Sequence, residues 1–262
     1  MSTVRSILII FCLTIFIIVS IPIQGFLNIT NTKYKKRFPL FFYKSVKAII
    51  GLHIIKKNLD TSKDTGVSQG ILYVANHVSW FDIICLGSIL NARFIAKKEV
   101  ASMGIFGFLS TLSNTVYIDN ENKKRVVEYN KFINEKLKNG ENFIIFPEGT
   151  TSDGNRVLEF KSSAFSSVEN QDFTIQPIVI VYSDLNGIPI NRWLRPMIAW
   201  YGDMDLKPHL LKLVGLMSIK VKLFYLEPVN TKNFNNRKCL SKYLEDKIRK
   251  VYSSTLSKKL AK

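Results

Sequence analysis

Residues 7–27, ILIIFCLTIFIIVSIPIQGFL, carry no charge over twenty-one consecutive positions. A helix of that length is enough to cross the hydrocarbon core of a bilayer. A cleaved signal sequence is the competing reading. The length of the run and the lack of a small-residue cleavage pattern after it speak against that. Lys33, Lys35, Lys36 and Arg37 follow the run, whereas only Arg5 precedes it. The positive-inside rule therefore puts the rest of the chain in the cytoplasm, at the inner membrane. Residues 38–55 are also apolar, but Lys44 and Lys47 interrupt them. They read as an amphipathic helix lying in the interface, or as one arm of a hairpin dipping into one leaflet. A membrane anchor is thus expected over residues 1–60: an apolar helix at 7–27 and a basic amphipathic segment at 33–57. Residues 61–262 are expected to form a separate soluble domain.

The charge balance supports an anionic partner. The chain has 37 Lys and Arg against 20 Asp and Glu, a net charge of +17. Residues 1–59 hold nine basic side chains and no acidic one. Basic residues beside apolar segments suit anionic lipid headgroups. Nucleic acid is the other common partner of such a charge, but no zinc-finger spacing or RNA-recognition signature accompanies it. Cys12, Cys85 and Cys239 are scattered and odd in number, which fits a reducing compartment. No HExxH or CxxC pattern occurs, so no protein-held metal is expected.

Beyond residue 66 short β-rich runs alternate with helical stretches. The runs are 71–75, 93–96, 115–118, 143–146, 175–182, 196–201 and 219–226. The clearest helices are 122–139, ended by Gly140, and a charged one at 238–257. This alternation predicts an α/β layered domain with a largely buried mixed sheet and flanking helices.

Two polar clusters follow predicted strands. The run ILYVA leads into Asn76-His77-Val78-Ser79-Trp80-Phe81-Asp82. In a turn entering a helix, the five-residue spacing lets Asp82 fold back onto His77. The carboxylate then fixes the imidazole tautomer and leaves the other ring nitrogen to take a proton from an alcohol. A packed histidine with Asp82 as a helix cap is the bland alternative. The second cluster, Phe146-Pro147-Glu148-Gly149-Thr150-Thr151-Ser152, follows FIIF. Pro147 ends the strand, and Gly149 permits a tight turn close to a ligand. By itself it reads more readily as an ordinary polar loop.

Taken together, the His77-xxxx-Asp82 pair and the FPEGT run some 65 residues later resemble the glycerolipid acyltransferase family, in particular the 1-acylglycerol-3-phosphate acyltransferases. The likeness spans roughly residues 66–230. It extends to Tyr117-Ile118-Asp119, Phe160-Lys161 and Ile175-Gln176-Pro177-Ile178. It implies an enzyme of phospholipid biosynthesis that moves a fatty acyl group from acyl-CoA or acyl-carrier protein to the free sn-2 hydroxyl of 1-acylglycerol-3-phosphate, giving phosphatidate. His77 is then the base and Asp82 its partner. Asn76, Glu148, Gly149, Thr150, Lys98 and Lys161 are expected at the substrate, with no cofactor besides the acyl donor. No GxSxG elbow supports a serine nucleophile at Ser79.

Two positions depart from the family pattern. Asn120 and Thr151 stand where the family commonly has arginine, the residue suited to gripping phosphate with paired hydrogen bonds. Lys97, Lys98 and Lys161 are the candidate replacements. The FPEGTTSDG form also resembles a subgroup that acylates other lyso-lipids, such as lyso-ornithine lipid or lysophosphatidylcholine. A non-catalytic basic membrane or lipid-binding protein is the alternative from another class.

Overall fold

The computed structural model describes residues 3–30, 33–58, 69–119 and 121–257. Asn120 lies outside them. Helix α1 runs Thr3–Ile29 and α2 runs Phe38–Ile50. Strand β1 spans Leu52–Asn58 and β2 Ile71–Ala75, followed by α3, Phe81–Gly87. Then come β3 (Arg93–Lys97), α4 (Gly104–Leu112), β4 (Val116–Ile118), α5 (Lys123–Lys138) and β5 (Phe143–Ile145). The second half holds β6 (Thr174–Leu185), β7 (Ile188–Pro189), α6 (Arg195–Ile198), α7 (Leu206–Val214), β8 (Ile219–Tyr225), β9 (Val229–Asn230) and α8 (Arg237–Ser257).

Local chemistry sets several of these limits. The side chain of Asn122 accepts from the N–H groups of Lys124 and Arg125 and so caps α5. Gly51 ends α2 in the left-handed region at φ 74°, which glycine adopts without steric cost. A side chain there would also strike the carbonyl oxygen of Met217. The amphipathic segment expected through residue 57 therefore stops at Gly51. Residues 52–58 turn into a strand paired in parallel with β8, Leu52 opposite Ile219. The run 196–201 is not a strand either. Residues 195–198 make one helical turn opening with Pro196, and Ile198 and Ala199 are buried.

The sheet order is β1-β8-β6-β2-β5-β3-β4. The five strands from β6 to β4 are mutually parallel, with Tyr73 of β2 opposite Ile144 of β5 and Gln176 of β6. Strand β8 is antiparallel to β6. Alternate residues of β6 enter opposite faces, as the strand period requires. Ile178, Ile180 and Tyr182 join a core beneath α2 and α3, while Ile175, Val179 and Val181 join one beneath α5 and α8. Burial on both faces makes β6 a nearly continuous apolar run.

Helix α1 is the one described helix long and apolar enough to cross a membrane. Ile9 joins the first core, while Ile7, Phe11, Ile18 and Phe26 are exposed. Both ends of α1 are tied to the domain. Arg5 donates to the carbonyls of Leu216 and Met217, and Asn28 donates to that of Leu112.

Candidate active site

The parallel strands β2, β5 and β3 lie side by side, so the segments that follow them meet at one edge of the sheet, the edge where parallel sheets place ligands. After β2, the chain turns into α3 with Asp82 in the first helical turn. His77 Nδ1 lies 2.8 Å from Asp82 Oδ2. The same oxygen accepts the N–H groups of Val78, at 2.7 Å, and Ser79, at 2.9 Å. Asp82 Oδ1 accepts the hydroxyl of Tyr182 at 2.7 Å. A fully buried carboxylate thus has four donors, which compensate its lost hydration. Asp82 accepts at Nδ1, so the proton sits there and Nε2 is the basic nitrogen. The imidazole stacks on Phe146, ring centroids 4.0 Å apart. Its side chain keeps 16% of its surface exposed.

That exposed edge opens into a cleft of about 300 Å³. Its lining includes the apolar side chains of Phe94, Ile95, Val100, Met103 and Ile118 together with Tyr129. Gly149, Thr150, Thr151, Lys97, Lys161 and Ser163 also border it. Gly149 has φ 65°, and a side chain there would press on the stem of Lys161, 3.3 Å away. His77, Gly149, Thr150 and Lys161 therefore share one cavity, as expected, with Asp82 directly behind His77.

Three expected substrate contacts are engaged elsewhere. Glu148 is 2% exposed. Its oxygens accept the backbone N–H of His77 at 2.6 Å and that of Leu158 at 2.7 Å. Burial pushes its carboxyl up to about 8, against the two N–H groups that pull it down. Glu148 thus pins the backbone of His77 to that of Leu158. Asn76, 1% exposed, donates to the carbonyl of Ile180 and accepts its N–H, bolting the end of β2 to β6. Lys98 turns to Asp119, at 3.0 Å, and Glu121, at 3.4 Å. Its neighbour Lys97, the last residue of β3, lines the cleft.

Sequence reasoning gave no site role to Tyr182, Trp200 or the ring of Phe146. Tyr182 lies within an apolar run and carried no signal. Trp200 lines the cleft beside the turn that carries His77. The backbone N–H of Trp200 donates to the carbonyl of Val78 at 3.0 Å, and the hydroxyl of Thr151 donates to the carbonyl of Trp200. Thr151, in the place of a family arginine, fastens this loop. Ser79 is fully buried, which leaves it no access to a substrate. Among the described residues no group of three or more His, Cys, Asp or Glu side chains is placed to hold a metal.

A family model described as Acyltransferase matches residues 53–181. The chain is 32% identical to the lyso-ornithine lipid O-acyltransferase of Brucella abortus strain 2308, over 97% of this chain and 96% of that protein. It is 30% identical to the 1-acyl-sn-glycerol-3-phosphate acyltransferase of Neisseria gonorrhoeae, over 70% and 69%. Its fold is similar to the crystal structure of the 1-acyl-sn-glycerophosphate acyltransferase PlsC from Thermotoga maritima, with a TM-score of 0.68 at 22% identity over 97% and 98% of the two chains. The chain belongs to the lysophospholipid acyltransferase family and is an acyltransferase.

Proposed function

We propose that this protein transfers a fatty acyl group directly from a thioester donor to the free hydroxyl of a lyso-lipid, with His77 as general base. The observation that carries the reading is the open Nε2 edge of an imidazole whose Nδ1 is held by Asp82 and whose ring lines a largely apolar cleft. Nε2 takes the acceptor's hydroxyl proton as its oxygen attacks the thioester carbonyl. The tetrahedral carbon collapses, the C–S bond breaks, and the thiolate leaves with the proton from His77. Asp82 stabilises the intervening imidazolium. The apolar part of the lining suits an acyl chain. Acyl-CoA and acyl-carrier protein, both anionic, suit a chain of net charge +17 as donors. The basic flank Lys33–Arg37 favours a catalytic domain on the cytoplasmic side.

For the acceptor, a lyso-ornithine lipid is the reading best supported. The relative of that name aligns over nearly the whole of both chains. Thr151 offers no guanidinium fork for a phosphate, being bonded to Trp200. Lys97 and Lys161 in the cleft favour the second reading, 1-acylglycerol-3-phosphate, because an ammonium also pairs with phosphate as a point charge. Purified protein offered each lyso-lipid with labelled acyl donor decides between them. The expected result is a kcat/KM at least about tenfold higher for lyso-ornithine lipid, worth about 1.4 kcal/mol of transition-state discrimination. A preference of that size for 1-acylglycerol-3-phosphate overturns the assignment.

A further inference from the structure

A second cavity, of about 490 Å³, lies at the opposite end of the parallel strands. It shares no lining residue with the catalytic cleft. Arg93 opens β3 there, Lys136 comes from the last turn of α5, and Lys35 and Lys36 come from the turn before α2. One carboxylate, Glu141, lies among them. Lys36 approaches it at 3.1 Å, Arg93 at 3.3 Å and Lys136 at 3.7 Å. Three cations gathered on one carboxylate leave an excess of two positive charges among these groups. A purely structural ion network needs no such excess, whereas a polyvalent anion in the cavity balances it.

The position of the cavity indicates which anion. Its wall is fastened to the last turns of the apolar helix α1. Gln24 donates to the carbonyl of Lys35 at 3.3 Å, and Asn114 donates to Asn28 at 3.5 Å. Asn114 lines the cavity, and its carbonyl accepts from Arg93 Nε at 2.8 Å. The outer face of α1 beside it, Ile18, Ile23 and Phe26, is exposed and apolar. With that face in lipid, the cavity sits at the level of the headgroups, where basic side chains meet phosphate. Pro39, Leu40, Tyr43 and Leu90 give it an apolar side for the glycerol and first methylenes.

We propose that the cavity between Lys36, Arg93 and Lys136 binds the headgroup phosphate of an anionic phospholipid, at a site separate from catalysis. The proposal rests on α1 facing lipid, not on the identity of the acceptor. Native mass spectrometry of the full chain in detergent, titrated with phosphatidylglycerol or with phosphatidylcholine of the same acyl chains, tests it. Phosphatidylglycerol is expected to bind more tightly than phosphatidylcholine. Lys36→Gln/Lys136→Gln is expected to weaken that binding about tenfold or more through loss of two charge-assisted contacts. Lys35→Gln/Lys36→Gln serves as the second pair, and retained acyl-transfer activity shows that each variant is folded. Lys97→Gln/Lys161→Gln, in the catalytic cleft, is expected to leave phosphatidylglycerol binding unchanged. Equal binding of the two lipids, unchanged binding in both cavity pairs, or loss only in the cleft pair overturns the proposal. So does binding of inorganic phosphate to the cavity without binding of phosphatidylglycerol.

Discussion

At the scale of the residue, two buried carboxylates serve His77 in different ways. Asp82 holds its ring, and Glu148 holds its backbone. Asp82 was legible from its spacing to the histidine. The position of Glu148 was not, because a carboxylate after a strand is equally able to face a ligand or fold back onto neighbouring amides. Sequence does not encode which amides come near. The structure shows both oxygens of Glu148 filled by N–H groups. Its pH behaviour follows from its raised pKa. A carboxyl at about 8 when folded and near 4.5 when unfolded is favoured protonated in the fold. Its contribution therefore falls as pH rises through that interval and levels off above it. Glu148→Gln removes this dependence but leaves one buried N–H facing an amide group. Unfolding in detergent is expected to show the variant less stable than wild type by about 1–3 kcal/mol at pH 5. That deficit narrows by pH 8, and a deficit that widens contradicts the account.

At the scale of the element, the site depends on the register of β2 against β6 at the end of β2. Asn76 joins them where backbone pairing stops, with both its amide groups on Ile180. Tyr182, two residues on along β6 and on the same face, then reaches Asp82. Asn76→Ala is expected to cost about 2–4 kcal/mol, two lost hydrogen bonds with buried partners left unmade. It is also expected to lower kcat with little change in KM, because it loosens the turn that carries His77. A variant as stable and as fast as wild type rules this role out. Most strands and the helices at both ends of the chain were legible, because buried strands and capped helices keep their periods. Residues 52–58 were not. Their apolar half continues the pattern of α2, and only the left-handed Gly51 separates the two. Residues 196–201 misled in the opposite sense. An apolar run resembles a strand, but here its backbone bonds the catalytic turn through Trp200.

At the scale of the whole molecule, two cavities lie at opposite ends of the parallel strands of one mixed sheet. The carboxyl ends of β2, β3 and β5 form the cleft with His77. The amino ends of β3 and β5 border the cationic cavity beside α1. Helix α1 leaves an apolar face outward along its length. An enzyme whose acceptor carries a fatty chain gains from such a surface, since a substrate partitioned into lipid meets the site by diffusion in two dimensions. The most direct test is the rate of acyl transfer from labelled acyl-CoA or acyl-carrier protein to lyso-lipid by purified His77→Ala, with circular dichroism to show the variant folded. The account predicts a rate about a hundred- to ten-thousand-fold below wild type, the usual cost of removing one general base. A folded variant that transfers acyl groups at near the wild-type rate contradicts it.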